Sequence, residues 1–422
     1  MRVHFIGNTC NINYDIAKYL RKEGMDVHLF LAPSDQREPQ NFPESEDPDL
    51  KANYPEWIHQ LQIPCERLLP RWFIDTHNAK MLLKCDLIQC QGNFAPWIMD
   101  SGVPFVILPQ GGDFFLWTMY SFLQLRYKGL FPHPMLLGLR RKMLKGYDKA
   151  ACIIFCTVST NWAKAYRKIL PGKKIAPIGL MIDTMSFCSA GNSQMSPSPQ
   201  IVDSIREKCE LVLFQPTRQI WTWESSITHR CSYGNDVFLR ALASTIVSDG
   251  LSVGAIMVDK NDADTEASRE LIRELNIESN IFWVDIMPRY KLIALYRSCD
   301  IVVDGLVAGG YGVIGIEAMA CGAPLMCYIL SDVFETMFGE APPVINVRTQ
   351  EDIRAHLKYY FSHREELSKL GSLGVGYVQR HHSPEATLPR YVELYESILE
   401  KRNKFGFIDP RVFLKVKPSP WL

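Results

Sequence analysis

Ile301-Val302-Val303-Asp304-Gly305-Leu306-Val307-Ala308-Gly309-Gly310-Tyr311-Gly312-Val313-Ile314-Gly315-Ile316-Glu317-Ala318-Met319-Ala320-Cys321-Gly322-Ala323-Pro324 decides how the rest of the chain is read. The β-branched run predicts a strand ending at Asp304, and Gly309, Gly310 and Gly312 predict a tight turn. The small and apolar residues that follow predict a buried helix, ended by Gly322 and Pro324. Strand, glycine turn and helix start form the geometry that receives a phosphate. Glycines let backbone N–H groups come close, and the helix dipole favours negative charge. Glu317 is the one acid in that helix. A carboxylate does not bind phosphate but accepts hydrogen bonds from sugar hydroxyls, as the acid of a dinucleotide fold does for a ribose. The stretch therefore predicts a seat for a nucleotide joined to a sugar, with Glu317 on the ribose and the amides of Gly310 to Gly312 on the diphosphate. A purely structural turn stays open for the individual glycines. For Glu317 it fits less well, because an unpaired buried carboxylate is costly.

Strand-length apolar runs alternate with helical patterns on both sides of this stretch. Val3–Ile6, Val27–Leu31, Leu87–Gln89, Phe105–Leu108 and Cys152–Val158 form one series. Leu211–Phe214, Val253–Val258, Ile281–Val284, Ile301–Val303 and Pro324–Ile329 form a second, interleaved with helices at Asp236–Val247, Glu266–Leu275 and Lys291–Ser298. This alternation predicts an α/β chain of two Rossmann-like, doubly wound domains facing a cleft. The expected boundaries are 1–180 for an acceptor-side domain and 181–385 for a nucleotide-sugar domain. A helix over 386–404 is expected to cross back to the first domain, with a tail at 405–422. The Ser/Pro/Gly-rich segment 189–200 reads as a loop.

The 422 residues carry 46 Lys+Arg and 46 Asp+Glu, so no global field points to nucleic acid. The 12 cysteines show no C-x-x-C pair or zinc spacing, and their use as small apolar residues suggests a reducing compartment. Met1–Gly7 reads as a strand entering a loop rather than a signal peptide, and no run has the length of a membrane span. These features suggest a cytoplasmic protein. Between Phe114 and Tyr147, six Lys or Arg residues are interleaved with aromatics and leucines and no acid. Such a segment suits peripheral contact with the inner face of an anionic membrane, or an ordinary solvated helical pair.

With these residues in view, the chain resembles a retaining glycosyltransferase of the GT-B fold, family 4 (group 1), along most of its length. "GGYGVIGIEAMACGAPLM" (Gly309–Met326) matches the group's glycine loop, acid and following helix in order. "PQGGDF" (Pro109–Phe114) resembles its "HGSD" loop, and "PIGLMIDTMSF" (Pro177–Phe187) the entry to its second domain. "LFQPTR" (Leu213–Arg218) resembles the segment whose arginine meets the donor diphosphate. "WVDIMPRYKLIALYRSCDIVVD" (Trp283–Asp304) resembles the lining of the base pocket, which puts Asp285 on the donor side. "GNTCNINYDIAKYLRKEG" (Gly7–Gly24) looks like the first loop and helix, which face the acceptor. Three positions depart from the family: its first glutamate is Gly309, its diphosphate lysine falls at Tyr233, and the "HGSD" histidine is Gln110. A bacterial polysaccharide-biosynthesis subgroup has a similar Asp304…Gly310-Tyr311-Gly312 pattern in place of the first glutamate.

The resemblance implies transfer of a sugar from a nucleotide diphosphate donor to a glycan or lipid-linked acceptor, with retention and without a metal or other cofactor. Glu317, Arg218 and Asp113 are the expected catalytic residues. Gly309, Gly310, Tyr311, Gly312, Glu317, Arg218 and Asp285 are expected on the donor, and Asn8, Gly111, Gly112 and Asp113 on the acceptor side. Without a metal, arginine and backbone N–H groups must meet the diphosphate charge. Several positions have a plain structural alternative: Asp113 as a helix cap, Asn8 and Asn11 as turn residues, and Tyr311 as core. Asp262-Ala263-Asp264 has the spacing of a metal-binding Asp-x-Asp but reads as a solvated loop. Two other functions stay open on the same fold: a non-catalytic nucleotide-sugar or glycan-binding protein, and a nucleotide-sugar epimerase.

Overall fold

Each strand series forms one parallel sheet, and in the computed structural model both sheets follow the same path. The structure describes residues 1–32, 41–51, 53–61, 81–109, 134–155, 172–188, 199–222, 232–401 and 405–408. They divide into two compact units. One holds the described residues up to 155, then 172–181 and 384–408; the other is 182–383.

The first unit carries β1 (Arg2–Ile6), β2 (Asp26–Leu31), β3 (Ile58–Gln60), β4 (Leu87–Cys90), β5 (Phe105–Ile107), β6 (Cys152–Phe155) and β7 (Ile175–Pro177), in the order β3-β2-β1-β4-β5-β6-β7. The second carries β8 (Leu211–Gln215), β9 (Val253–Asp259), β10 (Ile281–Asp285), β11 (Ile301–Val303), β12 (Leu325–Cys327) and β13 (Ile345–Asn346), in the order β10-β9-β8-β11-β12-β13. The central strands are apolar runs buried along their whole length, as a parallel sheet covered on both faces requires. β3, β7 and β13 were not expected from the sequence. They are two or three residues long and sit at or next to a sheet edge, too short to show a period.

Each sheet winds outward from its first strand in one direction, then returns and winds in the other. The reversal falls between β1 and β4 in the first unit and between β8 and β11 in the second. In open α/β sheets, ligands bind beyond the carboxyl ends of the strands at this reversal. The positions that matter are therefore the loops after β1, β4, β8 and β11.

The helices used below are α1 (Ile12–Lys22), α2 (Pro134–Lys149), α3 (Asn235–Ala243), α4 (Ala263–Glu274), α5 (Arg289–Ser298), α6 (Val313–Ala320), α7 (Arg364–His381) and α8 (Pro384–Leu399). α3 ends at Ala243, four residues before the expected end at Val247, and the chain continues as a π turn, Ser244–Ser248. α8 belongs to the first unit, where Tyr395 donates to Gln89 Oε1 on β4 (2.7 Å). In the second unit the core is built from Leu211, Leu213, Phe238, Leu242, Ala255, Met257, Ile301 and Val303, among others. α7 lies backbone to backbone against the end of α6. A Cβ at Gly371 would stand 2.0 Å from the carbonyl oxygen of Gly322, so only glycine permits this approach.

Candidate functional site

In the second unit the reversal point is polar. Gln215, the last residue of β8, is fully buried, and neither its Oε1 nor its Nε2 has a hydrogen-bond partner among the described residues. The same holds for the Thr217 hydroxyl and the Asn235 Nδ2, on residues 1% and 0% exposed. Native proteins rarely bury polar atoms without partners, so three such side chains at one strand end call for an occupant. Asn235 opens α3, and its Oδ1 accepts from the Ile220 amide (3.1 Å). Gly234 before it holds φ +74°, and a Cβ there would lie 3.0 Å from Leu306 and Val307. That close approach draws the start of α3 against the segment after β11. A relay ties the segment after β8 to α4: Trp221 Nε1 donates to Ser268 Oγ (2.8 Å), which donates to Gln219 Oε1 (3.0 Å).

The glycine turn adds backbone donors. Gly309 takes φ +86°, and a Cβ there would meet Leu330 Cγ at 2.9 Å. The Leu330 amide donates to the Gly309 carbonyl (3.0 Å). Among the described residues, the amides of Gly310 and Tyr311 donate to no protein group. The Gly312 amide is occupied, donating to Asp304 Oδ2 (2.9 Å). Of the three amides expected on a diphosphate, that of Gly312 is therefore already engaged within the chain. Asp304 is 3% exposed, and burial pushes its carboxyl above the usual range while the amides of Gly312, Gly305 and Gly315 pull it back. An acid from the strand end thus ties down the helix start.

Two further expectations are overturned. Glu317 is 2% exposed, and its carboxylate is spent: Arg289 Nε donates to Oε1 and the Tyr296 hydroxyl to Oε2 (2.9 Å). Arg289 and Tyr296 share one face of α5, so Glu317 locks α6 to α5 instead of standing open to a ribose. The Arg289 guanidinium also lies over the Phe187 ring, 5.2 Å from its centre. Tyr311 is 2% exposed and packs inward. Its ring stacks on Phe334 (4.9 Å), and its hydroxyl meets Tyr377 Oη (3.1 Å) and His382 Nε2 (2.9 Å). Its side chain is therefore core, and the part of Tyr311 left open is its backbone amide.

Arg218 follows the polar strand end, half-buried, with its carbonyl accepting from Ile220. Asp285 is exposed at the end of β10. Tyr233, where the family lysine was expected, packs beside Gly305, and its carbonyl accepts from the Leu306 amide (3.0 Å). Asp262 caps α4, accepting from the Thr265 amide (2.9 Å), and Asp264 accepts from Thr222 (2.9 Å). Both acids of the Asp-x-Asp are thus used locally. Gln215, Thr217 and Asn235 escaped the sequence reading. The signal was present as a glutamine closing an apolar strand, followed by Pro-Thr-Arg.

In the first unit, Asn8 is scaffold and not an open acceptor contact. Its Oδ1 accepts from the Tyr14 amide (2.9 Å), and its Nδ2 donates to Asn11 Oδ1 (2.6 Å) and the Asn41 carbonyl (2.7 Å). This correction follows from turn chemistry: Cys10 and Asn11 both hold left-handed backbone, and buried amides must brace it. Gln110, Gly111, Gly112 and Asp113 lie outside the described residues, as do residues 114–133 and Arg230.

Residues 235–372 match the family described as Glycosyl transferases group 1. A D-inositol 3-phosphate glycosyltransferase of Rhodococcus jostii is 29% identical over 96 residues, which is 22% of this chain and 21% of that protein. A Corynebacterium glutamicum protein of the same description is 32% identical over 65 residues, 15% of this chain and 16% of that one. The chain thus aligns with about a fifth or less of the length of these relatives. Among solved structures, Anabaena HepE in complex with UDP-glucose aligns with a TM-score of 0.65 at 16% identity, over 94% of this chain and 100% of that one. WaaG, a glycosyltransferase involved in lipopolysaccharide biosynthesis, aligns at 0.58 and 13%, over 94% and 99%. These likenesses show the fold. The chain carries a glycosyl transferases group 1 segment at residues 235–372, on a fold of the GT-B type.

Proposed function

We propose that this chain is a glycosyltransferase, moving a sugar from a nucleoside diphosphate donor to a glycan or lipid-linked acceptor. The observation that carries the reading is the set of buried polar atoms on Gln215, Thr217 and Asn235 without partners among the described residues at the sheet reversal, with the open amides of Gly310 and Tyr311 in the loop after the neighbouring strand β11. Neutral donors and one arginine, Arg218, suit a diphosphate. Amide and hydroxyl groups fixed in place stabilise the charge that builds on the leaving group without reorganising. The complexes of the Anabaena protein with UDP and UDP-glucose agree with such a donor. Retention and independence from metal follow from the resemblance, and Glu317 is assigned a structural role in this reading. The exposed Arg141, Lys142 and Lys145 on α2 support peripheral contact with an anionic surface. Among the described residues, no helix is long and apolar enough to cross a membrane.

The test is turnover of a panel of nucleotide sugars by purified protein in EDTA. Slow release of a nucleoside diphosphate, accelerated by a glycan or lipid-linked acceptor, is the expected result. Activity only after Mg²⁺ or Mn²⁺ is restored would overturn metal independence. Binding without turnover of any donor would favour a carrier, and an epimerised donor sugar would identify an epimerase.

A further inference from the structure

The sequence gives His381-His382 no evident role, yet the structure buries the second histidine against the glycine turn. His382 is 0% exposed and caps the C-terminus of α7. Its amide donates to the Val378 carbonyl (2.8 Å), and its carbonyl accepts from the Ile182 amide (3.0 Å). The backbone at His382 is thereby fixed on both sides, and the ring lies against Phe338 (5.8 Å) and Tyr377 (5.9 Å). Its Nε2 lies 2.9 Å from the Tyr311 hydroxyl. The Tyr311 ring is held on Phe334 and edge-on to Tyr377 (6.4 Å). Burial keeps the Tyr311 phenol protonated, pushing it well above its ordinary range. The hydroxyl therefore has one proton to give, and it meets two possible partners, His382 Nε2 and Tyr377 Oη.

The consequence lies in the backbone. Tyr311 stands between the two ends of the turn. On one side Gly309 is fixed by Leu330, and on the other Gly312 is fixed by Asp304. The two open amides belong to Gly310 and to Tyr311 itself. Whatever holds the Tyr311 side chain sets where those amides point.

We propose that His382 is a positioning residue: through the Tyr311 hydroxyl it clamps the glycine turn so that the amides of Gly310 and Tyr311 converge on the donor diphosphate. The donor half of this statement rests on the function proposed above; the clamp itself does not. A preorganised turn binds without the entropy loss of ordering at that moment. A slackened one keeps its chemistry but meets the ligand less often in the right shape.

The test separates the two halves. Hydrogen exchange of residues 309–314 is compared in ligand-free wild type, His382→Leu, His382→Gln, Tyr311→Phe and the Leu/Phe double variant. UDP, GDP and ADP are then titrated into each. The expected result is a loss of protection of about tenfold in the turn for His382→Leu, matched by Tyr311→Phe and not increased in the double variant, with recovery in His382→Gln. Diphosphate affinity falls about tenfold in the same variants, and KM for donor rises with less change in kcat. Unchanged exchange in the turn, or a loss spread evenly over the second unit, overturns the clamp. A slackened turn with undiminished diphosphate affinity overturns its role in holding the donor. Should His382→Leu fail to fold, Tyr311→Phe keeps the ring in place and decides the question alone. Failure of wild type to bind any of the three diphosphates, with the turn responding as described, rejects the function reading and leaves the clamp standing.

Discussion

Glu317→Ala is expected to lower folding stability by about 3–5 kcal/mol, because it breaks the buried ion pair with Arg289 by removing its carboxylate. Arg289 is 5% exposed and the Tyr296 hydroxyl is fully buried, so neither regains water when the carboxylate goes. Burial and the Glu317 charge together hold the Tyr296 phenol well above its ordinary range, which leaves it a neutral donor that also loses its acceptor. Urea unfolding followed by circular dichroism measures the loss, and the melting temperature should fall by on the order of 10 °C. The double change Glu317→Leu with Arg289→Met removes both charges and should recover most of the stability, since a buried pair is often no better than an apolar replacement. A cost below about 1 kcal/mol for the single change would mean that the three groups are not locked together. This outcome also bears on the ribose reading of Glu317, because an acid that a sugar must reach is not one that the core has already engaged on both oxygens.

Gly371→Ala is expected to be nearly as damaging, by about 3 kcal/mol or more, through sterics alone. The new methyl would lie 2.0 Å from the Gly322 carbonyl oxygen, a backbone atom that cannot rotate away. α7 must then lift from α6, opening the contact at Gly374, whose own Cβ would stand 3.3 Å from Met319. Gly376 in the same helix is the control. A Cβ there meets only the tip of the Arg380 side chain at 3.2 Å, so Gly376→Ala should be neutral or stabilise by about 0.5–1 kcal/mol. Thermal melts of the two variants should therefore move in opposite directions. Equal shifts would show that helix propensity, not the α6–α7 approach, governs this surface.

The sheets were legible in the sequence because parallel strands announce themselves as unbroken apolar runs. Leu211–Phe214 and Ile301–Val303 were placed to within a residue, and the helix after Gly312 was read from its small residues. The turn itself was legible too, since Gly309 needs its positive φ. Partnership was not legible. Nothing in Val313–Ala320 says that Glu317 will meet Arg289 and Tyr296, which lie on a helix 28 and 21 residues upstream. The same is true of Tyr311, whose hydroxyl meets His382, 71 residues away. Gln215 was passed over for a related reason: a single polar residue at a strand end looks like the start of a loop until the fold buries it. Chemistry held by local geometry survives the reading from sequence, whereas chemistry held by tertiary pairing does not.

The seat at the end of β8 is tested most directly by isosteric variants that remove its polar atoms without removing volume. Gln215→Met and Thr217→Val delete buried groups that have no protein partner among the described residues, so melting temperatures should hold or rise. Calorimetric titration with UDP, GDP and ADP should at the same time show affinity for the bound diphosphate falling by about 10- to 100-fold, the loss of one or two buried hydrogen bonds. Raised stability with lost affinity is the predicted result. Lowered stability with unchanged affinity would contradict it and would make those side chains part of the core.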